Sequence, residues 1–398
     1  MKTKYLALAL TLALLVASVP AFAADAPNTK AKAWTYLVYM AADNDLDTWG
    51  NFSLDLMKMG LTSDQDINVA VLYDHYGTNA DLLQVTSAGV VKIADYGEPD
   101  MGNPDTLHQF LSWGVKAFPA DHYAVVIWSH GGGWKYIIKD VTSGTRMSIA
   151  GLGSAMNSVA AELGHKRKFD ITIFDACLMS LIEVADQLTD ATDYVVASEQ
   201  SVPFTGFPYD LMLQRLAANP SASSGEYAHG IADDYYTYYA QSNNKSGLSI
   251  TAIDESELKP LVSSLDSLSI TLIANMAEFH PDVKDARAVA QHEVWGVNGV
   301  FWYVDLHRFA DQLALRISDT TIDAQAAAVV DNLGNAIYER HSHNLDGTSY
   351  GLGINFPPNL SRYQDKSYLA QNYQNVDLTF TNETHWDEML LEFYKYQK

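Results

Sequence analysis

Five short runs in the first half of the chain constrain its fold more than any other feature. They are TYLVYMA (35–41), INVAVLY (67–73), YAVVIWS (123–129), FDITIFD (169–175) and YVVAS (194–198). Each is rich in β-branched and aromatic residues and apolar on nearly every position. A strand with one wet face alternates apolar and polar residues, whereas a strand covered on both faces does not. Helical spacing fills the intervals. Asn103-Pro104-Asp105 opens one helix, with Pro104 suited to a first turn and Leu107, Phe110, Leu111 and Val115 on one stripe. A second runs over 149–163 through Ile149, Leu152, Met156, Val159 and Ala160, and a third follows Cys177 through Leu178, Leu181, Ile182 and Ala185. Strands alternating with helices predict an α/β fold, a mostly parallel sheet with helices on both faces. LLQVTSAGVVKIAD (82–95) alternates on either side of Ser87-Ala88-Gly89 and predicts a hairpin.

The second half reads as more helical, with helical spacing near 209–217, 223–241, 255–278 and 320–340 and strands at 247–254 and 351–357. The chain is expected to divide into a leader (1–23), an α/β domain (24–255) and a mostly helical region (256–398) packed on it; QSNNKSG (241–247) reads as an exposed loop. The leader has Lys2 and Lys4, an apolar stretch from Tyr5 to Val19, Pro20, and a small-x-small cleavage site at Ala21-Phe22-Ala23. No later apolar run approaches the roughly 18 residues of a membrane span. The expectation is an exported protein, periplasmic or secreted, without a membrane span. With 18% charged and 11% aromatic residues the chain is globular rather than disordered. Its formal net charge of −23 excludes nucleic acid and anionic membrane surfaces as partners and favours cationic peptides or metal cations. Nothing in the sequence bears on the oligomeric state. The only cysteine, Cys177, makes no internal disulfide and is therefore buried, paired between chains, or reactive.

Two predicted strands end in reactive chemistry. One runs into Ser129-His130-Gly131-Gly132-Gly133-Trp134, the other into Asp175-Ala176-Cys177. A single crossover separates them, so the strands are neighbours or nearly so and their carboxyl ends point the same way. A thiol becomes a strong nucleophile as thiolate, which a nearby histidine and a helix amino terminus both favour; the helix predicted after Cys177 supplies the second condition. An imidazolium at His130 can protonate the leaving amine. Glycine lets backbone approach substrate closely, so the amides of Gly131 and Cys177 are the candidate oxyanion hole.

At these residues the chain resembles the clostripain family of cysteine peptidases, relatives of caspases, legumain and gingipains. The matching pieces are WTYLVYMAADNDLD (34–47), VVIWSHGGGW (125–134), FDACLMSLIEVA (174–185), YVVASEQ (194–200) and GLGINFP (351–357). The resemblance implies a caspase-like three-layer α/β/α sandwich and endopeptidase activity on polypeptides from a Cys-His dyad, with Cys177 as nucleophile and His130 as general acid. It implies cleavage after Arg or Lys, with Asp175 at one acidic position of the first specificity pocket. Thr205, in QSVPFTGFPYD (200–210), stands where a second acid is expected, a departure from the family pattern. It further implies self-cleavage between the catalytic residues, for which Arg146-Met147 in the polar stretch KDVTSGTRMSIAG (139–151) is the candidate bond. No cofactor is required by the sequence and no metal site is assigned. Some relatives need calcium, and Asp43, Asn44, Asp45 and Asp47 offer oxygens, without the glycine and terminal glutamate of a twelve-residue calcium loop.

Other chemistries stay open at this level. GTSYG (347–351) fits the G-x-S-x-G serine-hydrolase elbow, but a helix precedes and a strand follows, the reverse of what that elbow needs. His341 and His343 lack a nearby carboxylate pair and read as a solvated helix end. The tyrosines of DDYYTYYA (233–240) either pack or, in an inactive exported binding protein on the same fold, stack on a ligand.

Overall fold

The computed structural model describes residues 30–63, 66–164, 167–241, 248–291, 302–342, 349–367 and 372–397. The expected leader, most of the QSNNKSG stretch and His343 lie outside them. The strands are β1 (Lys32–Ala41), β2 (Ile67–Asp74), β3 (Ala80–Thr86), β4 (Gly89–Gly97), β5 (Ala120–Trp128), β6 (Ile137–Asp140), β7 (Thr145–Met147), β8 (Phe169–Asp175), β9 (Thr192–Ala197), β10 (Leu248–Asp254), β11 (Tyr303–Asp305), β12 (Ile337–Ser342) and β13 (Gly353–Asn355). Nine of them form one sheet in the order β12-β10-β9-β8-β5-β1-β2-β3-β4. The five central strands, β9 to β2 in that order, are parallel, and antiparallel strands extend both edges.

The apolar runs are the parallel strands, and the reason is visible on β1. Trp34, Tyr36, Val38 and Met40 point into one core; Leu37, Tyr39 and Ala41 point into the other. The first core is closed by helices α1 (Asp47–Gly60), α5 (Tyr209–Ala218) and α6 (Ser224–Gln241). The second is closed by α2 (Pro104–Ala117), α3 (Ile149–Glu162), α4 (Ile182–Asp186), α7 (Leu258–Ala290), α8 (Leu306–Arg316) and α9 (Thr320–Ala336). The result is three layers, α/β/α, as expected. Caps set the helix starts: Asn103 Oδ1 accepts from Asp105 N at 3.0 Å with Pro104 in the first turn, and Ser148 Oγ accepts from Gly151 N at 3.1 Å.

Several expectations need correction. The helix expected directly after Cys177 begins only at Ile182 and is five residues long, because residues 178–181 are used to bond the loop after β9 and strand β13. The helix expected over 320–340 stops at Ala336; Ile337 and Tyr338 open β12, which pairs antiparallel with β10, so His341 lies in a strand and not on a helix end. The helix near 255–278 continues to Ala290 through Pro281, because Phe279, Val283, Ala286 and Ala290 prolong its buried stripe. The sheet itself crosses residue 255, since β12 comes from beyond it. No helix among the described residues is long and apolar enough to cross a membrane.

Candidate active site

Strands β5 and β8 are adjacent and parallel, with Trp128 opposite Asp175. His130 and Cys177 are each the second residue past that pair, so equal lengths of chain carry them over the same end of the sheet. Ser129 fixes the crossing: its amide donates to Asp175 O at 3.3 Å and its hydroxyl to Ala41 O at 2.7 Å. Both residues line one cleft together with Leu46, Trp128, Asp175, Val202, Pro203, Phe204 and Gly206.

The imidazole of His130 is held by a carboxylate that the sequence did not assign to it. His130 Nε2 lies 3.0 Å from Asp45 Oδ1, and Lys139 Nζ lies 3.1 Å from the same oxygen. Against a burial penalty, the bond and charge of His130 and the bond from Lys139 hold Asp45 down to about 2, so it is ionised. An ionised partner makes Nε2 the donor and leaves Nδ1 as the ring's basic nitrogen. Burial pulls His130 below the ordinary imidazole range; Asp45 opposes that shift, and the charges of Lys139 and Arg146 reinforce it. Burial pushes the Cys177 thiol up, with the Asp175 charge adding to it, and its Sγ faces Val202 O at 3.8 Å. No helix amino terminus counteracts this. Both shifts run against a preformed thiolate–imidazolium pair in the resting chain.

The loop of Cys177 is tightly prescribed. Leu178, the next residue, is buried with φ of 65°, a left-handed conformation that costs a β-carbon residue about 1–2 kcal/mol. The surroundings enforce it: Leu178 N donates to Gln200 O and Ser180 N to Ser198 O, both at 3.0 Å. A β-carbon at Gly131 would collide with the Cys177 carbonyl oxygen, so only glycine lets the two loops close. Neither the Gly131 nor the Cys177 amide donates to another backbone carbonyl among the described residues.

Asp175 is buried behind the cleft. Its Oδ2 accepts from Phe207 N at 3.2 Å and Tyr209 OH at 2.8 Å, while Oδ1 takes no hydrogen bond among the described residues. Burial pushes it up to about 6, with Tyr209 and Phe207 pulling the other way. Gly206, at φ 66°, folds directly over it. Thr205 does not join it: its hydroxyl turns to Tyr239 OH at 2.9 Å, and it does not line the cleft. Tyr239 also donates to Gly206 O at 2.7 Å and packs on Tyr235, so these tyrosines of DDYYTYYA brace the pocket loop from within the core. Arg146 and Met147 are not in an open polar loop. They sit in β7, where Met147 pairs with Ile137 and is fully buried, and Arg146 lies over the Tyr136 ring at 5.3 Å. Nor do residues 43–47 form a cation loop. Asn44 bonds Ala41 O and Lys139 O, Asp45 takes His130, and Asp47 takes Tyr73 and His75. Ser349 is buried, donates to Glu199 and leads into β13 rather than a helix, which removes the serine-hydrolase alternative.

The model of the clostripain family of C11 peptidases matches residues 38–393, nearly the whole described chain. The chain belongs to the clostripain family. Clostripain of Hathewaya histolytica is 26% identical over 226 residues, a match spanning 46% of this chain but only 42% of clostripain's length. A secreted C11 cysteine protease of Bacteroides thetaiotaomicron, solved with an irreversible peptide inhibitor, superposes with a TM-score of 0.64 at 23% identity, over 89% of this chain and 100% of that one. An inactive zymogen C11 protease of Parabacteroides distasonis gives 0.67 at 22% identity, over 89% and 99%. At these identities the two structures establish the shared fold. The clostripain-family sandwich is thus where this chain's cleft sits, at the carboxyl ends of its parallel strands. Asp45, Tyr209 and Tyr239 carry no sequence signal for their roles. Only the distance of the DNDLD turn from β5 in the fold, not in the chain, brings Asp45 to His130.

Proposed function

We propose that this clostripain-family chain is an exported cysteine endopeptidase that cuts polypeptides after Arg or Lys. The reading is carried by one observation: His130 and Cys177 line the same cleft at matched positions beyond two neighbouring strands, with the buried carboxylate of Asp175 in its lining.

The chemistry follows from the resting protonation states. Substrate enters with its carbonyl oxygen toward the Gly131 and Cys177 amides. His130 Nδ1 takes the thiol proton as Sγ forms its bond to the carbonyl carbon. The oxyanion is stabilised by the two fixed N–H donors, and Asp45 stabilises the imidazolium. The carbon–nitrogen bond breaks as His130 gives its proton to the departing amine. Water then attacks the thioester while Nδ1 takes its proton, and Cys177 leaves as the thiol. Ahead of the cleaved bond, the side chain meets an apolar wall of Val202, Pro203 and Phe204 with Asp175 at its end. That combination suits a long aliphatic stem with a cationic head.

The test is a peptide library varied at the residue before the scissile bond. Cleavage confined to Arg and Lys, abolished in both Cys177→Ala and His130→Ala, is the expected result. Hydrolysis that survives Cys177→Ala refutes Cys177 as the nucleophile; a different side-chain preference refutes the role of Asp175 alone. Self-cleavage at Arg146-Met147 belongs to the same reading and requires the β6–β7 hairpin to open first. Its expected signature is a cut that accelerates in sub-denaturing urea and is absent from Cys177→Ala.

A further inference from the structure

Resting on the peptidase reading, we propose that Phe204, backed by Trp49, is a second specificity element of the cleft. It is an apolar shelf for an aromatic or large aliphatic side chain within the two substrate residues ahead of the Arg or Lys. Phe204 lines the cleft, yet 60% of it is exposed. Among the described residues every other phenylalanine and tryptophan is buried or half-buried. A lone apolar residue in the open is ordinary on a protein surface. A ring held rigidly in the lining of a cleft is not.

Two distant segments hold that ring. Phe204 is the second residue of a turn closed by Gly206 N, which donates to Pro203 O at 2.8 Å. Tyr239 pins the turn to the core, meeting the Thr205 hydroxyl and donating to Gly206 O. The Trp49 indole, in the first turn of α1, stacks on the Phe204 ring with centroids 6.1 Å apart and planes 14° from parallel. Trp49 is itself set by its amide, which donates to Leu46 O at 2.8 Å, and by the Phe52 ring meeting its edge. Leu46, at the same helix start, also lines the cleft. A ring already ordered loses little freedom when a ligand docks, so its contact area is converted to affinity more fully. Val202 and Pro203 wall the side chain ahead of the cleaved bond, and Phe204 continues that wall toward solvent. An extended peptide advances about 3.3 Å per residue, so the next two residues upstream pass within a side chain's reach of the shelf. The carboxylates beside Trp49 in the chain are engaged elsewhere, Asp45 with His130 and Lys139, Asp47 with Tyr73 and His75. What the shelf offers is therefore aromatic and aliphatic surface, which suits another ring or a branched apolar side chain.

The test uses two peptide series with Arg before the cleaved bond, varied through Phe, Leu, Ser and Lys at the second or the third residue ahead of it. At one of these positions kcat/KM for Phe and Leu is expected to exceed that for Ser by at least ~10-fold, the lower range of discrimination by an apolar pocket. Phe204→Ser is expected to bring that ratio close to one, and Phe204→Tyr to retain it. A flat profile, a ratio that persists in Phe204→Ser, or a preference for Lys overturns the shelf. Calorimetric binding of the same peptides to Cys177→Ala reads the shelf without turnover: tighter binding of the Phe peptide supports it, and equal or absent binding overturns it. The two readings fail separately. A Phe204-dependent ratio without an Arg or Lys requirement sinks the role of Asp175 alone, and strict Arg or Lys cleavage with a flat upstream profile sinks the shelf alone.

Discussion

Asp45 and Asp175 flank the proposed dyad, and each raises the pKa of one member, Asp45 that of His130 and Asp175 that of Cys177. Asp45 raises the His130 pKa and fixes its tautomer. Asp45→Asn should therefore shift the acid limb of kcat/KM to lower pH, since an imidazole without its carboxylate protonates less readily. It should also lower kcat by a part of the roughly 10²–10⁴-fold that positioned proton transfer contributes. A purely structural role would leave the pH profile in place. Asp175 rises from its ordinary 3.8 to about 6 on folding. A raised carboxyl pKa means the folded state resists ionisation, so the protein loses stability as pH rises from about 4 through 6. By neutral pH the loss is on the order of 3 kcal/mol. Asp175→Asn should thus melt higher at pH 7 while its KM for Arg and Lys peptides rises about 10–100-fold, the range of a charge-assisted hydrogen bond. Thermal melts and steady-state kinetics on the same preparation check both halves. The placement of His130 and Cys177 over one end of the sheet was legible in the sequence because each follows a strand end, and the register of strand ends is carried by hydrophobic pattern. Asp45 and Tyr209 were not, because their contacts depend on how distant turns fold back, which no local period encodes.

At the level of elements, the apolar runs announced the parallel strands because burial on both faces leaves no polar positions. The failures are equally physical. The segment after Cys177 has helical spacing, yet Ser180 and Leu181 bond β13 and the loop after β9 instead, and tertiary partners override local propensity. The two loops of the dyad meet where Gly131 admits the Cys177 carbonyl. Gly131→Ala should therefore separate the dyad, lowering kcat far more than it raises KM for a bound peptide. A variant with unchanged kcat would show that the loops are not in contact. The tyrosines of α6 illustrate the other ambiguity: aromatic residues at helical spacing read equally as a binding surface or a core, and here Tyr235 and Tyr239 are core.

At the scale of the whole molecule, acidity and connectivity matter most. On the proposed reading, the net charge of −23 favours the approach of basic peptides. Their kcat/KM should fall as ionic strength rises past about 0.1 M, where the screening length is ~10 Å, while that of a neutral inhibitor's thiol alkylation stays flat. The sequence suggested a join at 255, but the sheet and the larger core run through it. A chain cut after Asp254 should not melt cooperatively. The fastening of the dyad loops has a temporal meaning. Tyr303 donates to Gly132 O at 2.7 Å, and Gly353 N donates to Ser180 O at 3.0 Å, so residues late in the chain hold loops made early. A polypeptide emerging from the ribosome amino end first carries His130 and Cys177 long before it owns the clamps that align their loops. On the proposed reading, hydrolysis must wait for the tail, and the machinery that makes the chain is spared.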